Sequence, residues 1–175
     1  MDAPHADRGP HPDPYDARRG QADEVEVVAV ERLVTVDGSA ADVWRCVSRP
    51  GELARWLDLE LRGDTGEERP LGPGAALSAV DPDGTVRHLL VSEVEEGRRI
   101  AWHWWREGGE LSAVEIILAP LDAGCTAVRV VETLARAGAG AGGRACASVV
   151  DGPGAEWDEA LSALGRRLSR KLGVA

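Results

Sequence analysis

The stretch TVRHLLVSEVEEGRRIAWHWWREGGELSAVEIILAPLDAGCTAVRVVETLA, residues 85–135, decides the fold. Apolar and polar residues alternate along four runs, which are 85–94, 98–105, 110–121 and 126–135. Short Gly-containing turns separate the runs, and this pattern is typical of antiparallel strands that follow one another in a meander. An earlier run at 75–80, ended by Asp81-Pro82-Asp83-Gly84, predicts a fifth strand before the others.

One long strand precedes this meander. Residues 25–36 are rich in valine on both alternating rows, so the strand is apolar on much of both faces, and Asp37-Gly38 ends it. Because short turns join the later strands, we expect the first strand to complete the same sheet. The prediction is one strongly curved antiparallel sheet of about six strands.

Two short helices are predicted between the first strand and the meander. Ser39 can cap a helix over Ala40–Ser48, because its side-chain oxygen can accept a hydrogen bond from a first-turn amide. Pro50-Gly51 breaks that helix. Residues 52–57 then form the second one, with Trp56 on its apolar side.

The C-terminal segment predicts one long helix. Pro153 opens it, and it spans residues 154–172. Its apolar residues, spaced four, three, four and four, are Trp157, Leu161, Leu164, Leu168 and Leu172. This single stripe buries one face of the helix. The expected fold is α+β, with the curved sheet wrapped around the long helix.

Composition excludes several kinds of partner. Thirty acidic and 20 basic residues give a net charge of −10, which argues against a nucleic-acid surface and against a polybasic membrane anchor. No apolar run approaches the ~20 residues of a membrane span, and we expect neither membrane insertion nor a signal peptide. The three cysteines, Cys46, Cys125 and Cys146, are far apart, which fits a reducing cytoplasm. We expect no metal and no cofactor.

Two segments are predicted to lie outside the packed structure. Residues 1–22 carry four prolines and no apolar period, which predicts a disordered tail before a single domain at 23–175. The Gly-rich run at 138–143 lacks the Gly-Lys-Ser/Thr ending of a phosphate-binding loop, so a linker is predicted there.

Several motifs occur in an order typical of one superfamily. They are Ser39-Ala-Ala-Asp-Val-Trp44, Ser48-Arg-Pro-Gly-Glu-Leu53 with Trp56, residues 93–102, and Trp157-Asp-Glu-Ala-Leu161. In this order the sequence resembles the SRPBCC or START-like helix-grip proteins. The branch that it most resembles is named after the activator of the ninety-kilodalton heat-shock-protein ATPase. The resemblance covers roughly residues 25–172.

The resemblance implies a pocket between the long helix and the concave face of the sheet. Strand alternation then selects the side chains that point inward. The candidate ligand-binding residues are Leu89, Val91, Ile100, Trp102, Trp104, Val114, Ile116, Leu118, Val128, Val130, Glu132, Trp157, Leu161 and Leu164. The alternative is that these side chains form only a packed core.

Glu132 is the only carboxylate placed on the inner face. A buried indole needs an acceptor for its N–H, so we expect Glu132 to accept from Trp102, Trp104 or a ligand hydroxyl. The alternative is that Glu132 lies at the end of its strand and that its carboxylate is exposed to water.

Three apolar residues, Trp105, Ile117 and Val131, are predicted on the outer face, which is normally polar in such a sheet. A register slip at a bulge, the N-terminal tail or a second protomer would each account for them. The possible partner is therefore a homodimer through this face.

No catalytic residues can be assembled from the spacing of histidines, serines and cysteines. The sequence predicts non-catalytic binding of a small hydrophobic molecule, such as a lipid, a polyketide or an aromatic metabolite, in a Trp-lined cavity. The resemblance also implies three alternatives: a polyketide cyclase or aromatase, a bacterial resistance protein that sequesters a natural product, and a chaperone-associated module.

Overall fold

A computed structural model of the protein describes residues 25–63, 66, 68–137 and 153–172. The predicted tail at 1–22, the Gly-rich run at 138–143 and Cys146 lie outside the described residues. The family resemblance noted above falls almost wholly within them.

Seven strands and three helices make up the described fold. The helices are α1 (Ala40–Ser48), α2 (Pro50–Trp56) and α3 (Pro153–Leu172). The strands are β1 (Val25–Asp37), β2 (Glu60–Leu61), β3 (Ala76–Val80), β4 (Val86–Glu95), β5 (Arg99–Arg106), β6 (Ser112–Asp122) and β7 (Cys125–Ala137). All neighbours pair antiparallel in the order β1-β7-β6-β5-β4-β3-β2. The predicted α+β helix-grip architecture is confirmed, and the two-residue β2 takes the strand number from about six to seven.

The strand register places the predicted inner rows on one face. Val114 pairs with Glu132 and Ile116 pairs with Val130, the pairs expected if the turn at Asp122–Gly124 sets Leu121 opposite Cys125. The turn instead sets Asp122 opposite Cys125, and a register shift between Pro120 and Asp122 restores the expected pairs. The inner rows of β5, β6 and β7 therefore point together toward α3.

Ser39 and Pro50 explain where the two short helices begin. Ser39 caps α1, since its Oγ accepts from the Asp42 amide at 3.2 Å and donates to the Asp42 carboxylate at 2.6 Å. The second helix starts at Pro50 and not at residue 52. Proline suits a first helical position because its missing N–H would have no partner there, so Pro50 ends one helix and opens the next.

The long helix buries one stripe against the sheet and the short helices. Trp157, Leu161, Leu164 and Leu168 are each at most 3% exposed. Gly38, at the β1–α1 junction, lies against Leu168, and a Cβ there would come within 3.3 Å of the leucine methyl. The buried stripe of α3 thus runs from Trp157 near its start to Leu168 near its end.

Ion pairs cross the outer face of the sheet. Arg129 binds Glu31 at 2.7 Å, and Arg99 binds Glu115 and Glu93. The hydrogen bond from Arg129 lowers the pKa of Glu31. Of the apolar residues predicted there, Ile117 pairs across the strands with Arg129 and is half-buried. The Trp105 ring lies against that of His88, with centroids 5.5 Å apart and planes tilted by 30°.

Candidate ligand-binding site

The N-terminal half of α3, the end of α2 and the β3–β4 turn border a cavity of about 470 Å³ that is partly open to solvent. Strands β4 and β5 form its inner wall. Its lining residues are Arg55, Trp56, Leu57, Asp58, Leu59, Asp81, Pro82, Asp83, Arg87, Trp104, Arg106, Glu156, Trp157, Glu159, Ala160, Ala163 and Arg166. The cavity is therefore at one end of the core, with an aromatic side and a charged side.

Three indoles from three different elements form the aromatic side. Trp104 of β5 and Trp157 of α3 stack with centroids 5.4 Å apart and planes 22° apart, and Trp56 of α2 lies 6.4 Å from Trp157. Trp56 Nε1 donates to the carbonyl of Cys46 at 3.0 Å, which fixes its ring. Ala160 and Ala163 of α3 line the same cavity as these rings, and their small side chains leave space there.

Glu132 holds two of these indoles in place. Its Oε1 accepts from Trp104 Nε1 at 2.9 Å and from Ser112 Oγ at 2.7 Å. Its Oε2 accepts from Trp157 Nε1 at 2.7 Å. Glu132 is only 5% exposed, so the alternative of a carboxylate in water is wrong. One buried carboxylate thus joins the sheet to the long helix.

The charged side carries a row of side chains that crosses three strands. Asp81 follows β3, and Arg87 and Arg106 are a cross-strand pair of β4 and β5. Arg87 Nε lies 2.9 Å from Asp81 Oδ1, and Arg106 Nε lies 2.7 Å from Asp81 Oδ2. Glu156 of α3 approaches both guanidiniums, at 3.6 Å from Arg87 and 3.5 Å from Arg106. This row joins the strand ends to the start of the helix.

The charged row is in direct contact with the aromatic side. The guanidinium carbon of Arg87 lies 4.2 Å from the centroid of the Trp104 ring, within the range of a cation–π interaction. The Asp83 carboxylate accepts from the Thr85 amide at 2.8 Å, which lowers the pKa of Asp83, with smaller contributions from Arg106 and Arg87. Asp83 is therefore ionised at neutral pH.

A second, smaller cavity of about 210 Å³ lies on the other side of this charged row. Arg87, Trp104, Arg106 and Glu156 line both cavities. The second one also reaches Glu132 and Ser112.

All of the sequence-predicted ligand residues are buried, at 6% exposure or less. Trp104 and Trp157 line the main cavity, Glu132 lines the smaller one, and Leu89 borders a space of about 10 Å³ between α2 and the sheet. The others pack against one another in the core. Trp102 Nε1, buried among them, has no hydrogen-bond partner in the described part of the chain.

Sequence reasoning missed the charged row and the role of Trp56. Strand alternation carries the signal for Arg87 and Arg106, because the inner rows continue from Leu89 to Arg87 and from Trp104 to Arg106. On α3, the small side chains of Ala160 and Ala163 near Trp157 are the sequence feature that indicates space for a cavity.

A serine–histidine pair lies on the outer face of the sheet. Ser78 Oγ lies 3.0 Å from His88 Nδ1, a pairing that spacing alone did not suggest. Ser78 and His88 are cross-strand neighbours of β3 and β4, outside both cavities described above.

In the described ranges no three His, Cys, Asp or Glu side chains are grouped to hold a metal ion. No helix within those ranges is long and apolar enough to cross a membrane.

The curved sheet, the long helix and the cavity between them define a helix-grip protein of the SRPBCC superfamily. A family model described as "Polyketide cyclase / dehydrase and lipid transport" matches residues 27–169, and the chain belongs to this family. No curated protein matches its sequence significantly.

Solved structures share the fold at low sequence identity. DynU16, a protein in the dynemicin biosynthetic locus, is 24% identical with a TM-score of 0.63, over 82% of this chain and 48% of that one. This chain therefore spans about half the length of DynU16. CalU16 from Micromonospora echinospora is 20% identical, with a TM-score of 0.60, over 87% and 89% of the two chains. The Aha1 dimer from Colwellia psychrerythraea is 12% identical, with a TM-score of 0.59, over 81% and 96%.

Proposed function

We propose that the protein binds a small hydrophobic molecule, without catalysis, in the cavity beside Trp56, Trp104 and Trp157. The observation that carries this proposal is the combination of about 470 Å³ of space with three indoles at one wall. Cavities of about 300–1,000 Å³ hold most small-molecule ligands of proteins. The three indoles are at most 6% exposed, so the apolar surface that they present to a planar or alkyl ligand is limited, and their packed rings form the wall behind it.

The comparisons support the class of ligand. The family description includes polyketide cyclisation and lipid transport, and DynU16 is described as a protein of a biosynthetic locus. We therefore propose a polyketide, a lipid or an aromatic metabolite as the ligand. Trp104 and Trp157 would contact it directly, Leu89 and Glu132 would lie next to it, and the other predicted residues would form the packed wall behind.

Filling the cavity should weaken binding. In Ala163→Trp an indole occupies the space that Ala163 leaves, so the affinity for the apolar dye N-phenylnaphthylamine should fall at least about tenfold, which is the effect of losing ~1.4 kcal/mol of contact. The measurement is a titration of dye emission, with a melting curve to show that the variant is folded.

Ser162→Trp is the matched control, because it adds the same side chain to an exposed position next to Ala163 on α3. It should bind the dye like the native protein. Native-like binding by Ala163→Trp would contradict the location of the site.

Cyclisation of a polyketide in the same cavity is the second candidate function. The ionisable side chains at its charged side favour it, because Asp81 and Glu156 are potential acid–base groups beside an apolar surface. Incubation with a poly-β-keto thioester separates the two candidates. A binding protein returns the compound unchanged, as does a sequestering resistance protein, whereas an enzyme yields a cyclic product.

A second copy of the chain is the protein partner that we propose. The support is the exposed apolar surface of the edge strand β1, where Val27 is 62% and Leu33 is 67% exposed, together with the dimeric state of the Aha1 neighbour. Sedimentation at rising concentration should show a dimer that Leu33→Glu weakens, and a monomer throughout would overturn this proposal. The cytoplasm is the compartment that we propose, because the three cysteines of the sequence are far apart from one another, which fits a reducing environment.

A further inference from the structure

We propose that the cavity selects apolar molecules that carry one anionic group, and that this group binds between Arg87 and Arg106 in place of Glu156. The inference rests on the proposed function, because the anion would lie at the charged side of the same cavity. The chemical class is an aromatic or alkyl carboxylate, or an equivalent monoanion.

The two guanidiniums share a single buried carboxylate. Both bind Asp81, whose side chain is 3% exposed, and Arg87 is itself only 11% exposed. One buried negative charge therefore faces two positive charges at this point of the wall, and the other two carboxylates nearby, Glu156 and Asp83, are exposed. Arg87 holds its charge where little water screens it, whereas Arg106 is 41% exposed, and the positive charge that this pair leaves beside the cavity favours a second anion.

Glu156 is the second anion at this point, but it interacts only weakly with the two guanidiniums. Its oxygens stay 3.5 and 3.6 Å from the guanidinium nitrogens, beyond a normal hydrogen bond, and its side chain is 57% exposed. Exposed pairs of this kind contribute little to stability, so an incoming anion can displace Glu156 at low cost. The first turn of α3, where Glu156 lies, also favours negative charge.

The other charges around the cavity limit the ligand to one anionic group. Asp58, Asp83 and Glu159 outnumber Arg55 and Arg166 among the remaining lining residues. Arg55 is further engaged with Glu52 at 3.5 Å. A second negative charge on the ligand would therefore meet a slightly acidic wall.

The anion site and the apolar surface are adjacent. Arg87 lies over the Trp104 ring, and Trp104 stacks on Trp157, so a group bound to the guanidinium leaves its carbon skeleton beside the indoles. A ligand with a charge at one end and an apolar body satisfies both contacts at once.

Two dyes with the same ring system test the inference. Anilinonaphthalene sulfonate carries an anionic group, and N-phenylnaphthylamine lacks it. The quantity measured is the ratio of their affinities, from emission titrations at low salt. In Glu156→Gln the competing carboxylate is gone, so the ratio should rise about threefold to fivefold in favour of the sulfonate. In Arg106→Gln it should fall about tenfold, the effect of one charge-assisted hydrogen bond.

Glu107→Gln is the control, because it makes the same change of net charge in the exposed turn after β5, outside the cavity lining. Its ratio should stay within about twofold of the native value, since an exposed charge is screened over a Debye length. An equal rise in Glu107→Gln and Glu156→Gln would overturn the inference, as would an unchanged ratio in Arg106→Gln. If neither dye binds the native protein, the proposed function itself fails; if only the uncharged dye binds, the binding function stands and the anion selectivity fails.

Discussion

Replacing Glu132 by leucine should lower the free energy of unfolding by about 3 kcal/mol, the largest effect that we expect of any single substitution outside the purely apolar core. The change removes the acceptor of Trp104 Nε1, Trp157 Nε1 and Ser112 Oγ in a region that is almost fully buried. The serine hydroxyl can rotate to another partner, but each indole N–H has a fixed direction. Two buried donors without acceptors, at about 1–3 kcal/mol each, outweigh the gain from an apolar side chain.

The expected measurement is a denaturant unfolding curve, together with a fall in melting temperature of about 10 °C for a domain of this size. Glu132→Gln keeps one acceptor oxygen, and we expect about half of the loss. Glu96→Gln, in the exposed turn between β4 and β5, should change stability by less than about 0.5 kcal/mol. Equal stability of the Glu132→Leu and Glu96→Gln variants would show that the three hydrogen bonds contribute nothing.

Asp81→Asn should produce the second largest loss, about 2–3 kcal/mol of unfolding free energy. The carboxylate is the counter-ion of two guanidiniums, and Arg87 is too deeply placed to be solvated on its own. Arg106 is 41% exposed, so water replaces part of its lost interaction, and the expected loss lies below that of a fully buried pair.

A double-mutant cycle separates this charge effect from a local effect on the turn. When Arg87→Met is already present, the buried positive charge is gone, and adding Asp81→Asn should cost less than half as much as it does alone. Asp83→Asn changes the neighbouring, exposed carboxylate and keeps the oxygen that accepts from Thr85, so its melting temperature should shift by at most about 2 °C. If the two aspartate variants lose equal stability, the buried ion pair has no special role.

Strand pairing was predictable because each inference needed only local information. A turn of known chemistry sets the register of a hairpin, and alternation then assigns every residue to a face. The pairs Val114 with Glu132 and Ile116 with Val130 were expected by counting from Leu121 opposite Cys125, and they are found because a register shift after Pro120 offsets the actual pairing of Asp122 with Cys125. The position of α2 was displaced by two residues, because proline is read equally well as the end of one helix or as the start of another.

The cavity was not predictable to the same degree. Alternation places Trp102 and Trp104 in one row, but it does not reveal that Trp102 is enclosed by the core while Trp104 borders open space. That difference depends on how far α3 extends along the sheet and on the small side chains that it presents. The bond between Glu132 and Trp157 likewise depends on the rotation of α3 about its axis, which the stripe of leucines sets only to within about one residue.

The pairing of β1 with β7 also determines when the sheet can be completed during synthesis. Val30 of the first strand pairs with Glu132 of the last, so β1 leaves the ribosome long before its partner exists. At on the order of 5–20 residues per second, the nascent chain carries an unpaired valine-rich strand for several seconds. Such a strand can pair with other nascent chains, and the final contacts to form are also those of highest sequence separation. Refolding from denaturant should therefore be slow and concentration-sensitive, even though every other strand pairs with a neighbour in the chain.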